Sequence, residues 1–186
     1  MSSGRELAAG QSGLGRGDSG LSGICFKSKV FHLILVKSPS LSRALRPRLS
    51  MQILQPPDWA RPRGYSNGIA ARGTLVSIAG QIGWDAQCRF ADGGFVGQCR
   101  QAIANILEVL AQAGGRPEHI VRMTWYVTDK AEYLAAGKAL GDAYKSLMRT
   151  IDGRVHYPVM TAVQVVALIE DLAKVEIEAT AVIPDA

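Results

Sequence analysis

The segment that most restricts the fold is the C-terminal one. It runs Tyr157-Pro-Val-Met-Thr-Ala-Val-Gln-Val-Val-Ala-Leu168 and then Lys174-Val-Glu-Ile-Glu-Ala-Thr-Ala-Val182. Both runs alternate with period 2, the spacing of a strand with two unlike faces. In the second, Val175, Ile177, Ala179 and Ala181 share one side, and Glu176, Glu178 and Thr180 share the other. The residues between, from Ile169 to Lys174, carry Glu170 and Asp171 and form a polar break, so a hairpin is expected. Two carboxylates on one face of so apolar a strand have two settings. They belong to a solvated outer face, the default for Glu, or to the wall of a polar pocket.

Upstream, Pro56, Pro57 and Pro62 keep the chain extended. Gly64 to Ala71, a turn at Arg72-Gly73 and Thr74 to Gly83 then read as a second hairpin. It ends in Ala79-Gly-Gln-Ile-Gly83, where Gly80 and Gly83 mark either a bulge or a close approach of backbone to a ligand or neighbouring chain. The glycines do not form G-x-G-x-x-G, so a dinucleotide loop is not supported. Val96, Cys99, Ile103, Ile106, Leu110 and Ala113 make one apolar stripe, predicting a helix from about Phe95 to Ala113 with a stop at Gly114-Gly115. Val121 to Thr128 alternates as a strand. Asp129-x-x-Glu132 is the capping box of a second helix, whose seam is Tyr133, Gly137, Leu140, Tyr144 and Leu147. The order β-β-α-β-α-β-β predicts an α+β fold, two helices on one face of a mixed sheet. The opposite face, with Val163 and Val165, remains semi-apolar, which predicts a homo-oligomer.

Charge narrows the partners. Residues 1–50 hold eight Lys and Arg against two acids, whereas residues 51–186 hold thirteen against fourteen. The excess base thus lies outside the 51–186 domain, and that domain has no electrostatic reason to seek nucleic acid. Three cysteines without a C-x-x-C spacing read as reduced thiols in a cytoplasmic protein. The three histidines are far apart, so no metal site is expected, and no apolar run approaches the roughly 20 residues of a membrane span. Residues 1–50, rich in Gly and Ser, read as a disordered or non-native extension, with Met51 as the natural start.

Taken together, these segments resemble the Rid (YjgF, L-PSP) family. Gly64-Tyr65-Ser66 is similar to its G-P-Y-S motif, and Ala79-Gly80-Gln81-Ile82 to its S-G-Q-I. The helix carrying Gln101, Asn105, Ile106 and Leu110, the strand Val121–Asp129, Pro158-x-Met160-Thr and Val175-Glu-Ile-Glu-Ala follow in the same order. The resemblance implies a chorismate-mutase-like fold and a homotrimer with ligand clefts between subunits, without a cofactor. It also implies hydrolysis of imines and enamines derived from amino acids. In that chemistry an Arg of P-A-R-S clamps the substrate carboxylate, a Ser of S-G-Q-I and an Asn of the second helix add hydrogen bonds, and a Glu of I-E-I-E activates water.

Transferred position by position, the Arg falls on Met160, the Ser on Ala79 and the Asn on Gly141. The Glu is kept as Glu176, given one extra residue after Leu168, and Tyr65, Gly80 and Gln81 also remain. The expected site is therefore Glu176 as catalytic group, with Tyr65, Ala79, Gly80, Gln81, Gly141 and Met160 around the ligand. Without the arginine, the expectation is a deaminase-type hydrolase of altered specificity, with Arg154 or His156 as candidate replacement cations. The alternative is a non-catalytic trimer binding a small apolar or weakly polar metabolite.

Overall fold

The computed structural model describes residues 51–185, and the extension expected over residues 1–50 lies outside them. Its strands are β1 (Met51–Leu54), β2 (Gly68–Ala71), β3 (Thr74–Ile82), β4 (Ile120–Val127), β5 (Val159–Gln164) and β6 (Val175–Ile183). Its helices are α1 (Gly94–Gln112), α2 (Lys130–Ala135) and α3 (Gly137–Leu147). A four-stranded mixed sheet has the order β3-β6-β4-β5, with β4 and β5 parallel and the other pairs antiparallel. β1 and β2 form a separate two-stranded ribbon.

Neither expected hairpin forms. β6 inserts between β3 and β4, while β5 runs parallel to β4, so the two C-terminal strands never pair with each other. Alternation fixes which face a side chain takes but leaves the choice of neighbour open. The Arg72-Gly73 link likewise joins a strand of the ribbon to one of the sheet. Gly73 adopts φ +145° there, and a side chain on it would collide with the Ile183 carbonyl.

The expected face assignment holds on β6, and on β4 the alternation holds from Met123 onward, while an irregularity at its start buries Ile120 in place of Val121. Val175, Ile177, Ala179 and Ala181 are buried together with Met123, Trp125 and Val127, under Ile103, Ile106 and Leu110 of α1 and Tyr144 of α3. The α1 stripe shifts slightly: Phe95, Gln98 and Ala102 are buried, whereas Ala113 is exposed past the end of the helix. Gly114 at φ +73° turns the chain, and the Gly115 N–H returns to the Leu110 carbonyl at 3.0 Å.

The second helix is two, α2 and α3, meeting at Ala136, and half of its capping box is realised. Asp129 accepts from the N–H groups of Ala131 (2.7 Å) and Glu132 (3.1 Å). The Glu132 carboxylate instead accepts from Lys174 Nζ at 2.8 Å, tying α2 to the start of β6. On the far face of the sheet lie Glu176, Glu178 and Thr180, with Arg122, Thr124 and Tyr126 beside them. The exposed Leu75 and Val163 keep that face semi-apolar.

Candidate functional site

One copy of the chain divides the expected site residues between two hollows. The larger, about 540 Å³, is lined by Tyr65, Gly141 and Met160 among others. The smaller, about 310 Å³, is lined by Gly80, Gln81, Trp84, Ile169, Glu170 and Glu176. Ala79 is exposed and lines neither. Met160 pairs with the core residue Met123 and shares its hollow with Tyr133, Leu140 and Tyr144 of the helical layer. It therefore lies on the helical side of the sheet, not on the bare face that carries Glu176.

The larger hollow is aromatic, and its walls are pinned. The Tyr144 hydroxyl donates to the His156 carbonyl at 2.9 Å, and its ring stacks on Tyr157 with centroids 5.4 Å apart. Ser66 holds Tyr65 in place: its hydroxyl donates to the Tyr157 carbonyl (2.6 Å) and its N–H to that of Pro158 (2.9 Å). Gly137 and Gly141 stand one helical turn apart on α3, and a side chain added at either would meet only open space.

Neither expected replacement cation reaches this hollow. Arg154 is exposed and paired with Asp152 at 2.7 Å. His156 is buried, with Nε2–H donating to the Ile120 carbonyl at 2.6 Å. Burial pulls its pKa below the ordinary histidine value, outweighing the carbonyl that favours its charged form. The cations that do line the hollow are Arg63 and Lys145. Sequence reasoning passed over both, because a surface cation beside a Gly-Tyr pair or on a polar helix face has no local signature.

The smaller hollow depends on a β-bulge. Ile78 pairs with Ala179 and Gln81 with Ile177, so Ala79 and Gly80 together oppose the single residue Glu178. The bulge brings the Gly80 backbone against Glu176, and any side chain at Gly80 would collide with Glu176 Oε1. Of the two readings open for this glycine the bulge is the one realised, and the group that its backbone admits is a carboxylate of the same chain. Glu176 is half-buried and makes no hydrogen bond or ion pair among the described residues. Cys99, pushed up to about 12 by burial, offers no thiolate nucleophile. Among the described residues no three His, Cys, Asp or Glu side chains stand close enough to hold a metal ion. No described helix is long and apolar enough to cross a membrane.

Two side-chain amides of α1 hold the rim of this second hollow. Gln98 Nε2 donates to the Leu172 carbonyl at 2.9 Å, and its Oε1 accepts from the Lys174 N–H at 2.8 Å. Asn105 Nδ2 donates to the Ile82 (3.2 Å) and Trp84 (2.9 Å) carbonyls, and its Oδ1 accepts from Gln101 Nε2 at 2.8 Å.

A mixed sheet under one helical layer, with an apolar recess on one side and a carboxylate-bearing bulge on the other, defines an α+β domain of the chorismate-mutase-like type. The chain belongs to the Rid/L-PSP family: the family model described as "Endoribonuclease L-PSP" matches residues 59–183. A RutC family protein from Synechocystis is 30% identical over 139 residues, spanning 73% of this chain and 99% of the relative. A 2-iminobutanoate/2-iminopropanoate deaminase from Capra hircus is 34% identical over 119 residues, 63% of this chain and 79% of the relative. The solved structure of the Rid family protein YyfB from Yersinia pestis superposes with a TM-score of 0.60 at 27% identity, covering 73% of this chain and all of that one.

Proposed function

We propose that the chain is an imine or enamine deaminase-type hydrolase that assembles as a homotrimer in the cytoplasm. In this reading the aromatic hollow of one copy closes against the carboxylate-bearing hollow of the next. The observation that carries it is the Glu176 carboxylate, unpaired among the described residues and set against the Gly80 backbone in a wall of the smaller hollow. The semi-apolar bare face of the sheet supports self-association. The deaminase named above supports the reaction class. The ribonuclease in the family description has no electrostatic counterpart here, since residues 51–186 carry one more acid than base.

The chemistry follows from the group present. An enamine first takes a proton from solvent at carbon, which gives its iminium. Water then bonds through oxygen to the iminium carbon while the Glu176 carboxylate takes one of its protons, leaving a carbinolamine. Glu176 returns that proton to nitrogen. The C–N bond breaks with its electron pair on nitrogen and the hydroxyl proton passes to the departing ammonia, so one water and one iminium become a carbonyl compound and ammonium. Both hollows must meet for this sequence, because in one copy Met160 and Glu176 line different cavities.

The test is ammonia release, above the spontaneous rate, from imines generated in situ by an amino-acid oxidase. Glu176→Gln keeps the size and loses the base, and should lower turnover by about 100-fold or more. Equal rates in the two proteins remove Glu176 from the chemistry. An absence of turnover with retained ligand binding favours the non-catalytic trimer.

A further inference from the structure

The aromatic hollow is walled by Tyr65, Trp125, Tyr133, Tyr144 and Tyr157, and it has two cations on its lining, Arg63 and Lys145. Arg63 makes no hydrogen bond or ion pair among the described residues. Lys145 reaches Asp142 only at 3.6 Å, and Asp142 already receives Lys138 at 2.8 Å. Trp125 has its indole N–H buried without an acceptor among the described residues. At Gly141 and Gly137 the wall has no side chain, and the space beside both is open. These features have one chemistry in common. Ring faces suit a planar apolar group, two loosely held cations suit an anion, and the missing side chains make room for bulk.

We infer that the ligand of this hollow is a carboxylate bearing an aromatic or similarly bulky apolar side chain, its anion held by Arg63 and Lys145. Within the proposed reaction, on which the substrate assignment rests, the substrate is the imino acid of such an amino acid. Met160 then packs against the apolar part. The volume of about 540 Å³ exceeds what a short aliphatic imino acid fills. Each cation contributes a charge-assisted contact, and neither needs the planar reach of an arginine at position 160.

Binding to the full chain is measured by titration calorimetry with 3-phenylpropanoate, an unreactive carboxylate of this shape, beside propanoate and 2-phenylethanol. Tightest binding is expected for 3-phenylpropanoate, since it alone has both the ring and the charge. Arg63→Ala and Lys145→Ala should each weaken it by about 10-fold or more while leaving 2-phenylethanol unaffected. Arg63→Lys should recover part of the loss. Arg63 and Lys145 are both exposed, so unchanged circular dichroism is expected in all three variants. Gly141→Leu should exclude 3-phenylpropanoate by filling the open wall. Indifference to both cation substitutions, or propanoate bound as tightly as 3-phenylpropanoate, overturns the inference. Failure of Glu176→Gln to slow turnover would remove the reaction but leave this ligand class standing. Turnover that ignores Arg63 and Lys145 would do the reverse.

Discussion

The two hollows are held in opposite ways. The aromatic one is braced by stacked rings and hydrogen bonds between elements that are themselves packed in the core, Tyr144 on Tyr157 and Ser66 on the segment before β5. The smaller one hangs from single side-chain amides of α1 and from a bulge that one glycine makes possible. A wall that must recognise shape is built stiff. A carboxylate that must approach a main chain and still move a proton is set on a strand irregularity and a tethered loop. The difference predicts that damage near the acidic hollow separates into fold defects and activity defects, whereas damage to the braced rings of the aromatic wall, as distinct from its exposed cations, does not.

The largest stability effect is expected from Gly83→Ala. Its methyl group would fall inside Gln98 Cα and Cβ, so α1 must shift, at a cost of about 3 kcal/mol. Urea denaturation measures it. Gln98→Ala comes next, at about 2–3 kcal/mol, because the Leu172 carbonyl and Lys174 N–H both lose their partner. Gln98→Glu keeps only the acceptor half and should fall between that variant and wild type. If Gln98→Ala leaves the unfolding midpoint where it was, the loop is held by something other than the amide.

Tyr144→Phe removes one buried hydrogen bond while keeping the stacked ring, and should cost about 1 kcal/mol. Gly80→Ala is expected to cost less stability than Gly83→Ala, since what must move is the Glu176 side chain from Cγ outward and no backbone, yet to cost most of the turnover by displacing Glu176. Equal activity in that variant would show that the approach of Glu176 to the bulge is incidental.

Acid should act on the aromatic side first. His156 has its pKa lowered by burial, and it spaces the segment between α3 and β5. The unfolded chain takes up its proton near the ordinary value of 6.5, before the folded one does. Its contribution is therefore whole above that pH and is lost as pH falls towards the depressed value. His119, also lowered by burial, acts in the same direction. The unfolding midpoint should drop between pH 7.5 and 5.5, and less so in His156→Gln, which retains a donor for Ile120.

Much of this was legible in the residues themselves, and the parts that were not have physical reasons. The spacing of Cys99, Ile103, Ile106 and Leu110 announces α1, and the alternation from Val175 to Ala181 announces both faces of β6. Partner choice left no such trace: β5 alternates just as β6 does, yet it pairs in parallel with β4. Glu176 and Gly80 stood out because a paired acid and a glycine are unusual inside strands. Arg63 and Lys145 did not, since only the approach of the Gly64–Ser66 segment to α3 brings them to one hollow. Glu132, read as a cap, went instead to a cation forty-two positions away.

The placement of β6 has a consequence for biosynthesis. β3 and β4 do not pair with each other: β4 has β5 on one side, but the strand that joins it to β3 is β6, which the ribosome makes after all three. Until Val175–Ile183 clears the exit tunnel, β3 has no partner in the sheet and α1 lacks the central strand it packs on. Closure of the sheet between β3 and β4 in this chain is thus an event that follows translation of its other strands.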